Sequence, residues 1–120
     1  IEAKTSINMA ENYKLIKILT KYPNLRRIIE KIKENKQLHL AVLFGSYAKE
    51  IPKKESDIDV YIETNSQDLK KELGKIDSKL SIKIGKYNKD NPLLKEIKKN
   101  HVIIKGIERY YEISWFFKDT

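Results

Sequence analysis

Apolar positions along this chain change their period several times, and each change marks an element. Leu15, Ile16, Ile18 and Leu19 recur at helical spacing, which predicts a first helix over residues 9–20 with Ser6 or Asn8 as its cap. Tyr22-Pro23 breaks it, since proline restricts the residue before it and suits a helix start. Leu25, Ile28, Ile29 and Ile32 predict a second helix over residues 23–35. Residues 38–44 (LHLAVLF) read as a strand buried on both faces, too short for a helix and ended by Gly45. Gly45-Ser46 then turns the chain into a helical turn at Tyr47-Ala48-Lys49, and a polar loop with Pro52 follows. Residues 56–62 alternate as a strand does, with Asp57, Asp59 and Tyr61 on one face and Ile58, Val60 and Ile62 on the other.

The second half continues the alternation of elements. Thr64-Asn65-Ser66 caps a helix to about Ile76, with Leu69, Leu73 and Ile76 on one face. Residues 80–86 predict a strand with Leu80, Ile82 and Ile84 inward and Ser81, Lys83 and Gly85 outward. Asn91-Pro92 opens a helix to Asn100 with Leu93, Leu94 and Ile97 inward; residues 101–105 form a short strand ended by Gly106. Ile107, Tyr110, Tyr111, Ser114 and Trp115 fall at helical spacing in the last segment. The order α-α-β-β-α-β-α-β-α implies an α/β (α+β) fold, a mixed sheet of about four strands covered by helices. The two leading helices lack a glycine turn and a third helix, so they read as packing against the sheet rather than as a DNA reader.

Composition adds limits. The 120 residues, 40% hydrophobic and 35% charged, are one domain's worth of chain. No apolar run approaches 18 residues and no signal peptide precedes the first helix, so no membrane span is expected and the expected location is cytoplasmic. Without cysteine there is neither disulfide nor thiolate metal site. A net charge of +8 favours anionic partners such as nucleotides. Only Arg26, Arg27 and Arg109 among the basic residues are arginine, and lysine dispersed among glutamate reads chiefly as solvated surface. His39 and His101 are too scattered for a metal pair, and the aromatic group Tyr110, Tyr111, Trp115, Phe116 and Phe117 reads as core or partner interface before base-stacking platform.

The chemistry gathers at one place. Asp57 and Asp59 point the same way from a strand start and would repel each other unpaired. Beside a Gly-Ser turn, the expected resident is a divalent cation held by oxygen ligands.

Gly45-Ser46, ten intervening residues and Asp57-Ile58-Asp59 resemble the signature of the DNA polymerase β type of nucleotidyltransferase, and the short chain is similar to its minimal nucleotidyltransferase branch. The resemblance is firm over residues 38–63 and looser to Glu112. It implies the nucleotidyltransferase fold over residues 37–120, with residues 1–36 as a helical segment packed on it. It implies Asp57 and Asp59 as catalytic metal ligands, Gly45, Ser46 and Lys49 as the nucleotide site, and NTP–Mg²⁺, with ATP foremost, as ligand. The reaction implied is transfer of a nucleotidyl group, AMP foremost, to a hydroxyl. Within the branch it implies an antitoxin paired with a helical HEPN-type toxin, some members adenylylating a toxin tyrosine; direct nucleic-acid binding is not expected.

Departures from the family pattern set an alternative. Lys49-Glu50 stands where relatives carry arginine and glycine; lysine keeps the charge but not the bidentate fork. The strand over residues 80–86, where relatives carry a third carboxylate, offers only Ser81, Lys83 and Gly85 outward, and Asp77 and Asp90 flank it out of register. The alternative expectation is therefore a non-catalytic protein of this fold, acting as antitoxin or regulatory binding module.

Overall fold

In the computed structural model, which describes residues 2–86 and 90–116, the elements run α1 (Glu2–Lys21), a 3-10 turn (Pro23–Leu25), α2 (Arg26–Glu34), β1 (Ala41–Phe44), the single turn α3 (Gly45–Ala48), β2 (Ile58–Glu63), α4 (Gln67–Gly74), β3 (Leu80–Gly85), α5 (Pro92–Lys99), β4 (Val102–Lys105) and α6 (Ile107–Phe116). All four residues of β1 are buried because both of its faces are covered. Ala41 and Leu43 join a core made with Ile58, Val60 and Ile62 of β2, Ile18 of α1, Ile28, Ile29 and Ile32 of α2 and Leu69 and Leu73 of α4. Val42 and Phe44 face the other way, into a second core with Tyr61, Ile103, Leu94 and Ile97 of α5 and Tyr110 and Ile113 of α6. The result is the α/β nucleotidyltransferase-type arrangement expected: a sheet of order β3-β2-β1-β4 between two helical layers. β1 is antiparallel to β2 and β4, and β2 is parallel to β3, so the sheet is mixed.

Local chemistry sets the element ends. Ser66 Oγ accepts the Leu69 N–H at 3.1 Å and starts α4; Asn91 Oδ1 accepts the Leu93 N–H at 2.9 Å and starts α5, with Pro92 in the first turn. Arg109 of α6 grips Glu63 with two N–H groups, at 2.9 and 3.1 Å, and so ties α6 to the end of β2.

Several boundaries differ from the sequence reading. α1 begins at Glu2, so Ser6 and Asn8 lie inside it and cap nothing. Its first turns run beside α6, with Ile7 and Asn8 across a groove from Ile107 and Tyr111, and this tertiary contact carries the helix past its local cap signals. Ile16, counted in the apolar stripe, is 61% exposed; the buried face is Glu11, Leu15 and Ile18. Pro23 opens a 3-10 turn rather than α2 itself. β1 begins at Ala41, with Leu38 and Leu40 buried ahead of it and the Leu40 carbonyl accepting the Glu63 N–H of β2 at 3.4 Å. β2 begins at Ile58, which leaves Asp57 in the loop just before the strand, and α4 ends at Gly74 rather than near Ile76. His101 lies just outside β4, its Nδ1 3.0 Å from the Ile97 carbonyl in the last turn of α5. Of the aromatic group, Tyr110 is core and Tyr111 half-buried; Phe117 and the side chains of Trp115 and Phe116 lie outside what the structure describes.

Candidate functional site

The site grows from the end of β1. Phe44 pairs with Asp59 of β2, so Asp59 lies beside the point where the chain leaves the sheet. Gly45 turns there with φ +73°, a left-handed conformation that L residues adopt at a cost of roughly 1–2 kcal/mol. A Cβ at position 45 would also run into the Asp59 carboxylate and lie 3.1 Å from its Cγ. Glycine is thus required twice, for the turn and for the close approach of a carboxylate to backbone. α3 closes the turn: Gly45 O accepts the Lys49 N–H at 3.1 Å and Ser46 O accepts the Ile51 N–H at 3.0 Å. Ser46 is half-buried and Lys49 exposed.

Burial raises Asp59 above the ordinary carboxylate range; the charge of Asp57 raises it further, Lys83 opposes the rise and Glu96 adds to it. The structure thus sets Asp59 against Gly45, with Ser46 next in the same turn, and Asp57, exposed in the loop, is near enough to be felt. Lys49 turns toward α5, with Nζ 3.7 Å from Glu96 Oε1. Glu96 is the residue that sequence reasoning missed. Its only local signal is its place one residue before the buried Ile97, and the packing of α5 on the Asp59 face of the sheet brings it into range.

Two further positions bear on the chemistry. Glu50, at φ +61°, is directed away to α1, where Lys17 and Lys21 approach it at 3.3 and 3.4 Å and hold its carboxyl below the ordinary range. On β3 the pairs Asp59–Ser81, Tyr61–Lys83 and Glu63–Gly85 put Ser81, Lys83 and Gly85 on the Asp59 side, while Leu80 and Ile82 are buried on the other. No acid stands on that face of β3, and Asp77 is occupied in a turn, its Oδ1 accepting the Lys79 N–H at 2.8 Å. In the loop before β2, the Lys53 N–H is given to Ser56 Oγ at 2.7 Å, and the Lys54 carbonyl accepts Lys79 Nζ at 3.0 Å.

The sequence matches the model of the family "Polymerase beta, Nucleotidyltransferase" over residues 26–109. The chain belongs to this nucleotidyltransferase family. The match begins in α2 and ends in α6, so it takes in the whole sheet and the Gly45–Asp59 site. No curated protein matches the sequence. Among solved structures, the "Crystal structure of the toxin-antitoxin with AMP-PNP" is similar with a TM-score of 0.47 and 20% identity, over 86% of this chain and 78% of that chain.

Nucleotidyltransferases of this family typically use a divalent metal. In this member the ligands available for one are Asp57 and Asp59; a cation would offset the burial of Asp59 and its repulsion by Asp57. Among the described residues no group of three acidic, histidine or cysteine side chains is placed to hold a metal ion. A Mg²⁺ held here would take its remaining oxygens from phosphate and water, a common arrangement for this ion.

Proposed function

We propose that this chain is a minimal nucleotidyltransferase that binds NTP–Mg²⁺, ATP foremost, at Gly45, Ser46, Lys49, Asp57 and Asp59 and transfers AMP to a hydroxyl. One observation carries the reading: the Asp59 carboxylate packs against the bare Cα of Gly45, which joins the Gly-Ser turn and the acidic pair into one site. Gly45 admits phosphate to the backbone, Ser46 donates its hydroxyl to a phosphate oxygen, and Lys49 offers a positive charge once released from Glu96. Asp57 and Asp59 would hold the metal, which would supply positive charge to offset that of the phosphates. The acceptor hydroxyl attacks the α-phosphorus and gives its proton to water as the α–β P–O bond breaks and pyrophosphate leaves with the bridging oxygen. In the branch the chain resembles, the acceptor is a tyrosine of a helical HEPN-type toxin, and this is the partner we propose. Calorimetry with ATP, in Mg²⁺ and in chelator, tests the site. Binding should need Mg²⁺, and Asp57→Asn with Asp59→Asn should abolish that need while the fold persists. Equal affinity with and without metal would sink the assignment.

A second reading, a nucleotide-binding protein with little or no transfer activity, is favoured by the face of β3. Its register offers Ser81, Lys83 and Gly85 but no carboxylate to hold a second metal or accept the hydroxyl proton. Lys83→Asp should then improve metal binding and raise transfer from labelled ATP to a candidate partner. Strong wild-type transfer that Lys83→Asp leaves unchanged would dismiss this second reading.

A further inference from the structure

Three charged side chains act on the half-buried Asp59: Asp57, Lys83 and Glu96. Glu96 already has Lys49 at 3.7 Å. The other acid on this face of β2, Glu63, is held by two N–H groups of Arg109. Each of these pairs cancels its own charge. Among the described residues, no ion pair or hydrogen bond engages the side chains of Asp57, Asp59 or Lys83. Two carboxylates and one ammonium are therefore left uncommitted around the Gly45 turn.

The register of the sheet fixes where that ammonium stands. β3 is an edge strand parallel to β2, and the pairs Asp59–Ser81 and Tyr61–Lys83 put all four side chains on one face. Lys83 is thus one same-face position beyond Asp59, on the neighbouring strand, and exposed. Its charge reaches Asp59 without forming an ion pair, so space separates the two groups. Lysine is common on edge strands, where it discourages pairing with other chains. A lysine on either face would do that; this one stands on the face of the two free acids.

Charge then limits what the site can load. Asp57 and Asp59 together match one divalent cation. A second would find no carboxylate on β3, where Ser81 offers only a neutral hydroxyl and Gly85 no side chain, and it would meet the like charge of Lys83. The same ammonium attracts phosphate. Given the nucleotide site proposed above, we propose that Lys83 takes the place of a second metal ion: the site loads one divalent cation, on Asp57 and Asp59, and the Lys83 ammonium contacts a phosphate oxygen of the nucleotide. Lysine suits the part, being a compact point charge on a flexible stem with three donors.

The test counts metal ions and measures nucleotide affinity without relying on transfer. Mn²⁺ is the probe, because electron paramagnetic resonance separates its free and bound forms. The nucleotide is α,β-methylene-ATP, whose α–β bridge does not break. Each wild-type ternary complex should hold one Mn²⁺. Lys83→Ala should keep that count and the melting curve, and weaken the analogue roughly ten- to a hundredfold, as for a lost hydrogen bond between charged groups. Lys83→Arg, which keeps the charge, should stay near wild type. Lys71→Ala removes the same charge from an exposed position of α4, on the other side of the sheet, and should leave the affinity unchanged. Lys83→Asp should bind a second Mn²⁺. Two Mn²⁺ in the wild-type complex, an unchanged affinity in Lys83→Ala, or a single Mn²⁺ in Lys83→Asp would each overturn the proposal and leave the nucleotide site standing. A wild type that binds the analogue equally with and without Mn²⁺ would remove the metal site, and this proposal with it.

Discussion

One hydrogen on Gly45 keeps the Asp59 carboxylate where it is. Gly45→Ala would pay for a left-handed backbone, roughly 1–2 kcal/mol, and would push the carboxylate off its seat. We expect a lower urea midpoint together with the loss of Mg²⁺-dependent ATP binding. Ser46→Ala, by contrast, removes a half-buried hydroxyl without altering the turn. A hydrogen bond to a charged group is worth about 1.5–3 kcal/mol, and a neutral one about 0.5–1.5. The expected loss is thus roughly three- to a hundredfold for ATP, with adenosine binding and the midpoint unchanged. Equal losses for ATP and adenosine would return Ser46 to a purely structural part. The two substitutions stand side by side in the chain and separate stability from binding.

Among elements, the one-turn α3 is joined to α1. Glu50, just beyond its end, bonds Lys17 and Lys21 of α1, so α1 buttresses the loop that leads from Gly45 to Asp57. Two effects oppose each other at position 50. Its φ of +61° is a conformation glycine holds freely, while the ion pairs are exposed and such pairs contribute little to stability. The backbone effect should win. Glu50→Gly is expected to keep or raise Tm, and Glu50→Gln, which retains the backbone cost and loses the charge, to lower it. A fall in Tm for the glycine variant at low salt that disappears at high salt would show that the α1 contact outweighs the strain.

At the scale of the molecule, a buried polar group links α1 to the far side of the sheet. Glu11 is 2% exposed; its Oε1 accepts the Tyr111 hydroxyl of α6 at 2.8 Å, with Lys14 Nζ at 3.0 Å and His101 Nε2 at 3.4 Å. Burial alone would raise its pKa, but His101, Lys14 and Tyr111 outweigh that and hold it at about 2, against an ordinary 4.5. A carboxylate depressed in the folded state stabilises it above the unfolded value and loses that contribution as pH falls through the folded one. The stabilisation, about 3 kcal/mol, should be complete near pH 6 and vanish between about pH 5 and pH 2. Glu11→Gln should therefore lower the urea midpoint at pH 7 and flatten its fall on acidification. An unchanged pH profile in that variant would show that other carboxylates govern the acid limb.

The same scale shows where local pattern ceases to decide. The sequence alone determined the sheet and its faces: period-two alternation set which of Ser81, Ile82 and Lys83 point together, because a slip of one residue would bury Lys83 and expose three aliphatics. It also determined the turn at Gly45 and the caps at Ser66 and Asn91, which rest on neighbours close in the chain. Tertiary structure decided the rest. Apolar residues surround α1, so periodicity could not choose between the Leu15–Ile18 side and the Ile16 side; contact with the sheet chose. Glu96 reaches the Asp59 site, and Glu11 reaches His101 and Tyr111, only because helices distant in sequence pack on the same sheet. Charges so placed act through space on groups that no local pattern connects to them, and that is why these contacts were not legible in the chain itself.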